Sequence, residues 1–249
     1  SIAVNSVYSP LNSDMEEKTA ELIKKKLPNI KISLSHAIGK VGLIERENAT
    51  IINAALSKLA EEIIEAFESA LLKLNITAPL YVSQNDGTLM LPEKVKSYPV
   101  LTFACGPTNS MRGAAYLSGI EESVIVDIGG TTSDIGYIKQ GFPRQSAVAT
   151  DVGGVRTNFR MPDIVSIGLG GGSIIRENGN KIGPDSVGYL LTEKSKVFGG
   201  DTLTTTDVAV ARYNLEIGDP SLVKDLDDEI IRNSSNQITK LLEIAIDKM

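Results

Sequence analysis

The chain has 249 residues, 42% of them hydrophobic and 22% charged, with a formal net charge of −6. That length allows one large domain or two modest ones, and the acidic balance argues against nucleic acid or an anionic membrane as a partner, since both need a basic surface. One cysteine and one histidine exclude an internal disulfide, a Cys-based zinc cluster and a poly-His metal site, and no apolar run approaches a membrane-spanning length.

The chain opens Ser1-Ile2-Ala3-Val4, without Met and without the basic-then-apolar layout of a signal peptide. The expectation is a cytoplasmic protein and a processed or excised piece. Ile2 to Tyr8 is β-branched and predicts a strand. Asn12 to Lys26 predicts a helix capped by Asn12 or Ser13, with acids in its first turn, lysines in its last and Pro28 as its stop. Ile30 to Ser35 alternates and predicts a strand. Glu45 to Asn75 predicts a long helix with an apolar stripe at Ile51, Ala55, Leu59, Ile63, Ala66 and Leu71. Leu80 to Ser83 and Thr88 to Leu91 read as a hairpin around Asn85-Asp86-Gly87, and Val100 to Phe103 as a further strand.

Beyond Gly119, where the sequence suggests a boundary between regions 1–118 and 119–249, the pattern changes. Ser123 to Val126, Ser133 to Ile138 and Gln145 to Thr150 predict an antiparallel meander, and Asp163 to Ile167 another strand. Thr206 to Tyr213 and Pro220 to Lys248 predict helices. Of the 22 glycines, all but Gly39, Gly42, Gly87 and Gly218 lie between Gly106 and Gly200. A phosphate-cradling enzyme and a loop-rich β region both crowd glycine in this way.

The most informative string is Val124-Ile125-Val126-Asp127-Ile128-Gly129-Gly130-Thr131-Thr132-Ser133-Asp134-Ile135. An apolar strand delivers Asp127 to its end, and Gly129 and Gly130 let phosphate oxygens approach the backbone amides. Hydroxyls of Thr131, Thr132 and Ser133 add donors. Asp127 and Asp134 repel bare phosphate, so they make sense through Mg²⁺, with Asp127 as the metal candidate. Either carboxylate can instead orient an attacking water.

This string resembles the second phosphate hairpin of the actin, sugar-kinase and heat-shock-chaperone ATPase superfamily. Gly106-Pro107-Thr108-Asn109 and Gly113-Ala114-Ala115-Tyr116-Leu117 resemble that superfamily's connecting helix. Within it, the chain is most similar to the hydantoinase/oxoprolinase family. The resemblance rests also on Glu45-Arg46 with Asn53-Ala54-Ala55-Leu56, Gly141-Phe142-Pro143, Ile167 to Ile174, Gly183 to Gly188, and Thr204-Thr205-Thr206-Asp207-Val208. It implies an α/β fold of the actin-like ATPase (ribonuclease H-like) type, a mixed sheet with an antiparallel meander flanked by helices. It implies an ATP-dependent hydrolase that phosphorylates the carbonyl of a cyclic amide, hydantoin or 5-oxoproline in type, with ATP and Mg²⁺ as cofactors. The implied partners are the cyclic amide and a second hydantoinase-type subunit, in an oligomer of the full-length protein. Another actin-like small-molecule kinase and a non-catalytic nucleotide-switch subunit remain the alternatives. The first phosphate hairpin and the adenosine motif of the superfamily are not found, so the expectation is a central fragment that alone binds ATP weakly or not at all.

The triplet Gly170-Gly171-Gly172 followed by Ser173 reads as a second ligand-facing loop or as a tight structural turn. Arg156 and Arg160 are candidate contacts for a substrate carboxylate or phosphate, or solvated side chains. Asp207 is a candidate substrate ligand or a helix cap. His36 reads as a structural or surface histidine and Cys105 as a buried small hydrophobe.

Overall fold

Asn12 sets the start of the first helix. Its Oδ1 accepts from the Asp14 amide at 2.8 Å, while Ser13 holds the cap position without a side-chain bond. The structure is a computed structural model that describes residues 1–147 and 149–249. Strand β1 (Ile2–Val4) leads into helix α1 (Asp14–Lys26) and then β2 (Ile32–Leu34), which pairs in parallel with β1. Acids fill the first turn of α1 and Lys24, Lys25 and Lys26 the last, complementing the helix dipole.

Helix α2 (Leu43–Lys73) follows, and its buried face is not the expected apolar stripe. Ile51, Leu59 and Ile63 are 50%, 52% and 45% exposed. The inward face carries Arg46, Ala49, Asn53, Ser57, Ala60 and Ile64 instead. Polar groups face inward because each has a partner there. Asn53 Nδ2 donates to Ser33 Oγ and to Ser97 O, both at 2.9 Å. Buried Arg46 donates to Ser35 Oγ at 2.9 Å and Ser6 O at 2.7 Å. Glu16, also buried, accepts from the Ser6 amide and from Ser35 Oγ, and its Oε2 lies 2.8 Å from His36 Nδ1. Burial alone would raise its carboxyl, but the bonds from Ser35, His36 and Ser9 hold it below its ordinary value. His36 is thus a structural residue, as expected.

The hairpin β3 (Val82–Ser83) and β4 (Leu89–Met90) forms as predicted, and α3 (Pro92–Ser97) follows it. The strand expected at Val100 to Phe103 is a 3₁₀ turn, Pro99–Thr102. Pro99 fixes φ for a turn and has no N–H for a ladder, and Val100 buries against Ala49 and Phe159. Helix α4 (Cys105–Ser118) spans the Gly106-Pro107 and Gly113-Ala114-Ala115 stretches.

Next come β5 (Ser123–Ile128), β6 (Ser133–Lys139), β7 (Phe142–Pro143), β8 (Thr150–Val152), β9 (Val155–Thr157) and β10 (Ile164–Ile167). The third meander strand expected at 145–150 does not form in that place. Val148 lies outside the described residues, Gln145 makes only an isolated bridge with Pro162, and β8 pairs with β9. The neighbour of β6 opposite β5 is β10, with Ile167 facing Ser133. Strands β11 (Ser173–Arg176) and β12 (Lys181–Ser186) form a hairpin that the sequence reading did not contain. Helices α5 (Leu191–Lys194), α6 (Thr205–Tyr213) and α7 (Asp228–Ile246) complete the chain. The helix expected from Pro220 begins as a separate 3₁₀ turn, and α7 starts only after Asp227, whose side chain accepts from the Glu229 amide.

The chain forms two compact units. One comprises Ser1–Gly113 with Phe142–Pro162, the other Ala114–Gly141 with Asp163–Met249. A single cut near Gly119 therefore does not describe the division, because 142–162 returns to the first unit. The second unit's core joins Leu169, Ile175, Ile182 and Val208 to Ile231, Ile238 and Leu242 of α7. Among the described residues, no helix is long and apolar enough to cross a membrane.

Candidate functional site

Strand β5 delivers Asp127 near its end, and β6 places Asp134 directly opposite it. Such partners share a face of the sheet with Cβ atoms about 5 Å apart, where like charges destabilise the pairing. A pair of half-buried carboxylates in that position needs a compensating group. Ser166 of β10 supplies part of it by donating from Oγ to Asp134 Oδ1. The sequence reading did not single out Ser166; its place beside Asp134 follows from the β10–β6 register.

The turn between the strands is closed by the Gly129 amide, which donates to Thr132 O at 2.9 Å. The amides of Gly130, Thr131 and Thr132 donate to no acceptor among the described residues, and all three residues are exposed. A Cβ at Gly130 would meet nothing within 4 Å, and its φ is not left-handed. Neither packing nor backbone conformation requires glycine there. What its absence of side chain does provide is open access to the amides.

The loop 168–173 is engaged differently. The Gly171 amide donates to Gly129 O at 2.9 Å and the Gly172 amide to Gly130 O at 2.7 Å. A Cβ at Gly170 would lie 2.6 Å from Gly129 O and 2.7 Å from Thr131 N. The Gly170 amide donates to Ser173 Oγ at 2.9 Å, and Ser173 is fully buried. From the other side, Thr206 donates to Gly171 O through both its amide, at 3.0 Å, and its hydroxyl, at 2.8 Å, and Thr205 Oγ1 donates to Gly170 O. Every amide from Gly170 to Ser173 is used inside the protein, the Ser173 amide donating to Gly170 O at 3.0 Å.

Three residues expected to face a ligand are placed otherwise. Ser133 is fully buried and donates from Oγ to Leu169 O at 2.6 Å. Asp207, fully buried, completes a capping box with Thr204 and also accepts from Ser195 Oγ and the Val197 amide, both at 2.7 Å. Its four bonds leave no face for a substrate, so it is a structural cap. Arg156 lies in the first unit as a 70%-exposed side chain 3.5 Å from Glu45. Thr131 and Thr132 keep exposed hydroxyls at the turn. An apolar cavity of about 210 Å³ in the second unit is lined by Ile128, Leu169, Gly170, Ala209, Ile238 and Leu242.

Among the described residues, no three His, Cys, Asp or Glu side chains group as a metal site. The Asp127–Asp134 pair nonetheless suits Mg²⁺, which keeps several waters and binds through one or two carboxylates plus phosphate oxygens.

A family model described as hydantoinase/oxoprolinase matches residues 46–248. Acetophenone carboxylase gamma subunit of Aromatoleum aromaticum is 25% identical over 222 residues, which is 84% of this chain and 30% of that protein. Caprolactamase subunit alpha of Pseudomonas jessenii is 25% identical over 217 residues, 84% of this chain and 31% of that protein. The crystal structure of the ATP-dependent caprolactamase from Pseudomonas jessenii superposes with a TM-score of 0.75 at 23% identity, covering 95% of this chain and 38% of that one. The chain thus spans less than a third of the length of these two curated relatives, and its fold is that of the caprolactamase chain over the matched region.

Proposed function

The chain belongs to the hydantoinase/oxoprolinase family, and on that premise we propose that it carries the phosphate-binding part of an actin-like, ATP-dependent enzyme acting on a cyclic amide. The observation that carries this reading is the trio of unpartnered, exposed amides at Gly130, Thr131 and Thr132. Backbone N–H groups converging on one concavity bind anions without any cationic side chain. Two relatives bear on the chemistry: one is named as a caprolactamase and one as a ketone carboxylase subunit.

ATP, when bound, supplies the phosphoryl group that turns a carbonyl oxygen into a leaving group. The residues of this chain bind, orient and neutralise around it. The amides of Gly130, Thr131 and Thr132 would donate to phosphate oxygens, and the Thr131 and Thr132 hydroxyls would add donors. Asp127 and Asp134 are the residues that would hold Mg²⁺, or in its place orient water. Gly129, Gly170, Gly171 and Gly172 act through the backbone, and Ser133 and Ser173 through their buried hydroxyls, fixing the turn rather than touching the ligand. The apolar cavity beside Ile128 gives the less polar part of the ligand a surface. A second subunit and the remaining length of a longer chain complete the enzyme in this reading.

The test is phosphate release by the full-length protein with a panel of cyclic amides and simple ketones. Stimulation by a lactam or hydantoin, lost in Gly130→Ala, supports the proposal. Stable phosphate transfer to an alcohol, or no nucleotide binding at all, sinks it.

A further inference from the structure

Strand β5 is the outermost strand of its sheet. The strand order is β10–β6–β5, and among the described residues no strand or bridge pairs with its far side. The ladder fixes which of its backbone groups face that side. The Gly129 amide donates to Thr132 O at 2.9 Å, and the register runs on from there without a shift to Ser123 opposite Ile138. Bonded and non-bonded pairs alternate along an antiparallel ladder. Asp127 with Asp134 and Ile125 with Gly136 are therefore the bonded pairs. The N–H and C=O groups of Val124, Val126 and Ile128 point away from β6 and have no partner among the described residues.

Water can solvate such an edge, so the open groups alone decide little. What decides is the absence of the usual guards. Edge strands are commonly blunted by Lys, Pro, a bulge or very short length. Strand β5 has six residues, no Lys, no Pro and no bulge. Its three outward-bonding residues are all β-branched, the type that packs well on a pleated neighbour. Its side chains are also short of cover. No residue of β5 is buried, whereas Ser133, Ile135, Gly136 and Ile138 of the adjacent β6 are. Val124 is 40% and Ile128 62% exposed. One added strand would supply both things at once: main-chain partners for three residues and cover for the apolar side chains beside them.

We propose that the open edge of β5 takes a β-strand from the same, longer polypeptide, from a segment outside residues 1–249. This rests on the reading above that the chain is part of a longer protein, which its match to 30% and 31% of two relatives supports; it does not rest on nucleotide binding. A second copy fits the edge less well. The antiparallel register that pairs all three outward residues, Val126 on Val126, sets Ile125 against Asp127 on both sides, and it joins two molecules that each carry a net charge of −6.

The experiment is hydrogen exchange read residue by residue, without nucleotide, on the full-length protein and on the 249-residue chain. In the full-length protein the amides of Val124, Val126 and Ile128 should all be protected, independently of protein concentration. In the 249-residue chain the same three should exchange about a hundredfold faster or more, while Ile125 and Asp127 stay protected by the β6 ladder. Val126→Pro removes the central outward donor and spares the ladder to β6, a placement that edge strands tolerate. In the full-length protein it should speed exchange at Val124 and Ile128 by about tenfold or more, with Asp127 unchanged. Fast exchange at the three amides of the unaltered full-length protein overturns the proposal, whether or not the short chain or the variant folds. So does protection at only one of the three, which is burial without pairing. Protection in the short chain that rises with its concentration identifies a second copy and also overturns it, as does protection that appears only when a separate subunit is added. Loss of nucleotide binding would leave these rates unmoved, so a failure of the ATP reading and a failure of this one are told apart.

Discussion

The two glycine-rich turns of the second unit use the same residue for opposite ends. At Gly130 an added Cβ would meet open space, and the amides around it are unpartnered. At Gly170 an added Cβ would collide with backbone at 2.6 Å, and every amide from Gly170 to Ser173 is committed. In the proposed reading one turn is kept bare for a ligand; the other is bare so that it can pack against the first. A glycine's role is therefore read from what a side chain would displace, and a glycine-rich string alone does not tell a cradle from its support.

The largest effect tests the turn itself. Asp127→Asn in the full-length protein keeps the side-chain shape and removes the charge opposite Asp134. ATP hydrolysis should fall by about 10²–10⁴-fold, the range for a positioned acid-base or metal-holding group. The melting midpoint should hold or rise, since a like-charge pair is relieved. Near-normal turnover would remove Asp127 from the site.

The contrast between the turns is broken most directly by two matched substitutions. Gly170→Ala should cost about 3 kcal/mol in a urea titration, at the upper end for overpacking, because the obstructing atoms are backbone. Gly130→Ala should change stability by less than about 0.5 kcal/mol, as surface changes usually do, while weakening nucleotide binding about tenfold. If Gly170→Ala leaves stability intact, or Gly130→Ala destabilises, the division of roles is wrong. Asp207→Ala tests the second tier of support. It strips four buried hydrogen bonds from the start of α6, whose Thr205 and Thr206 hold the Gly170 and Gly171 carbonyls. The expected loss is about 2–4 kcal/mol, combining a lost cap with unsatisfied buried donors. Nucleotide affinity measured well below the unfolding midpoint should change less than in Gly130→Ala.

The sequence made the β5–β6 hairpin legible because its signal is local: an apolar strand, two glycines, a second strand. The same holds for α1, with its charge order, and for the Asn85-Asp86-Gly87 turn. The long helix was placed correctly but turned the wrong way. Its inward face is chosen by partners such as Ser33 and Ser97 for Asn53, which no periodicity of apolar residues reveals. Val100 reads as strand by composition and becomes a 3₁₀ turn because Pro99 precedes it. The hairpin β11–β12 escaped notice since it follows directly on the glycine triplet and its second strand contains Gly183-Pro184. At the site, the turn's free amides were expected, whereas the fate of Ser133 and the triplet depended on contacts between segments some 40 residues apart, such as Ser133 with Leu169.

Ser133→Ala gives the smallest effect and discriminates most finely. In the sequence Ser133 belongs with Thr131 and Thr132 as a phosphate donor, yet its hydroxyl is buried and donates to Leu169 O at 2.6 Å. If it is a strut, its removal should cost about 1 kcal/mol, the usual net value of one neutral hydrogen bond. Nucleotide affinity should then change by less than about twofold, since the Gly171 and Gly172 amides still hold the turn. A ligand contact would give the reverse: unchanged stability with an affinity loss like that of Gly130→Ala. That outcome would place the buried end of the string in the binding surface, and the line drawn between cradle and support at Thr132 would have to move into β6.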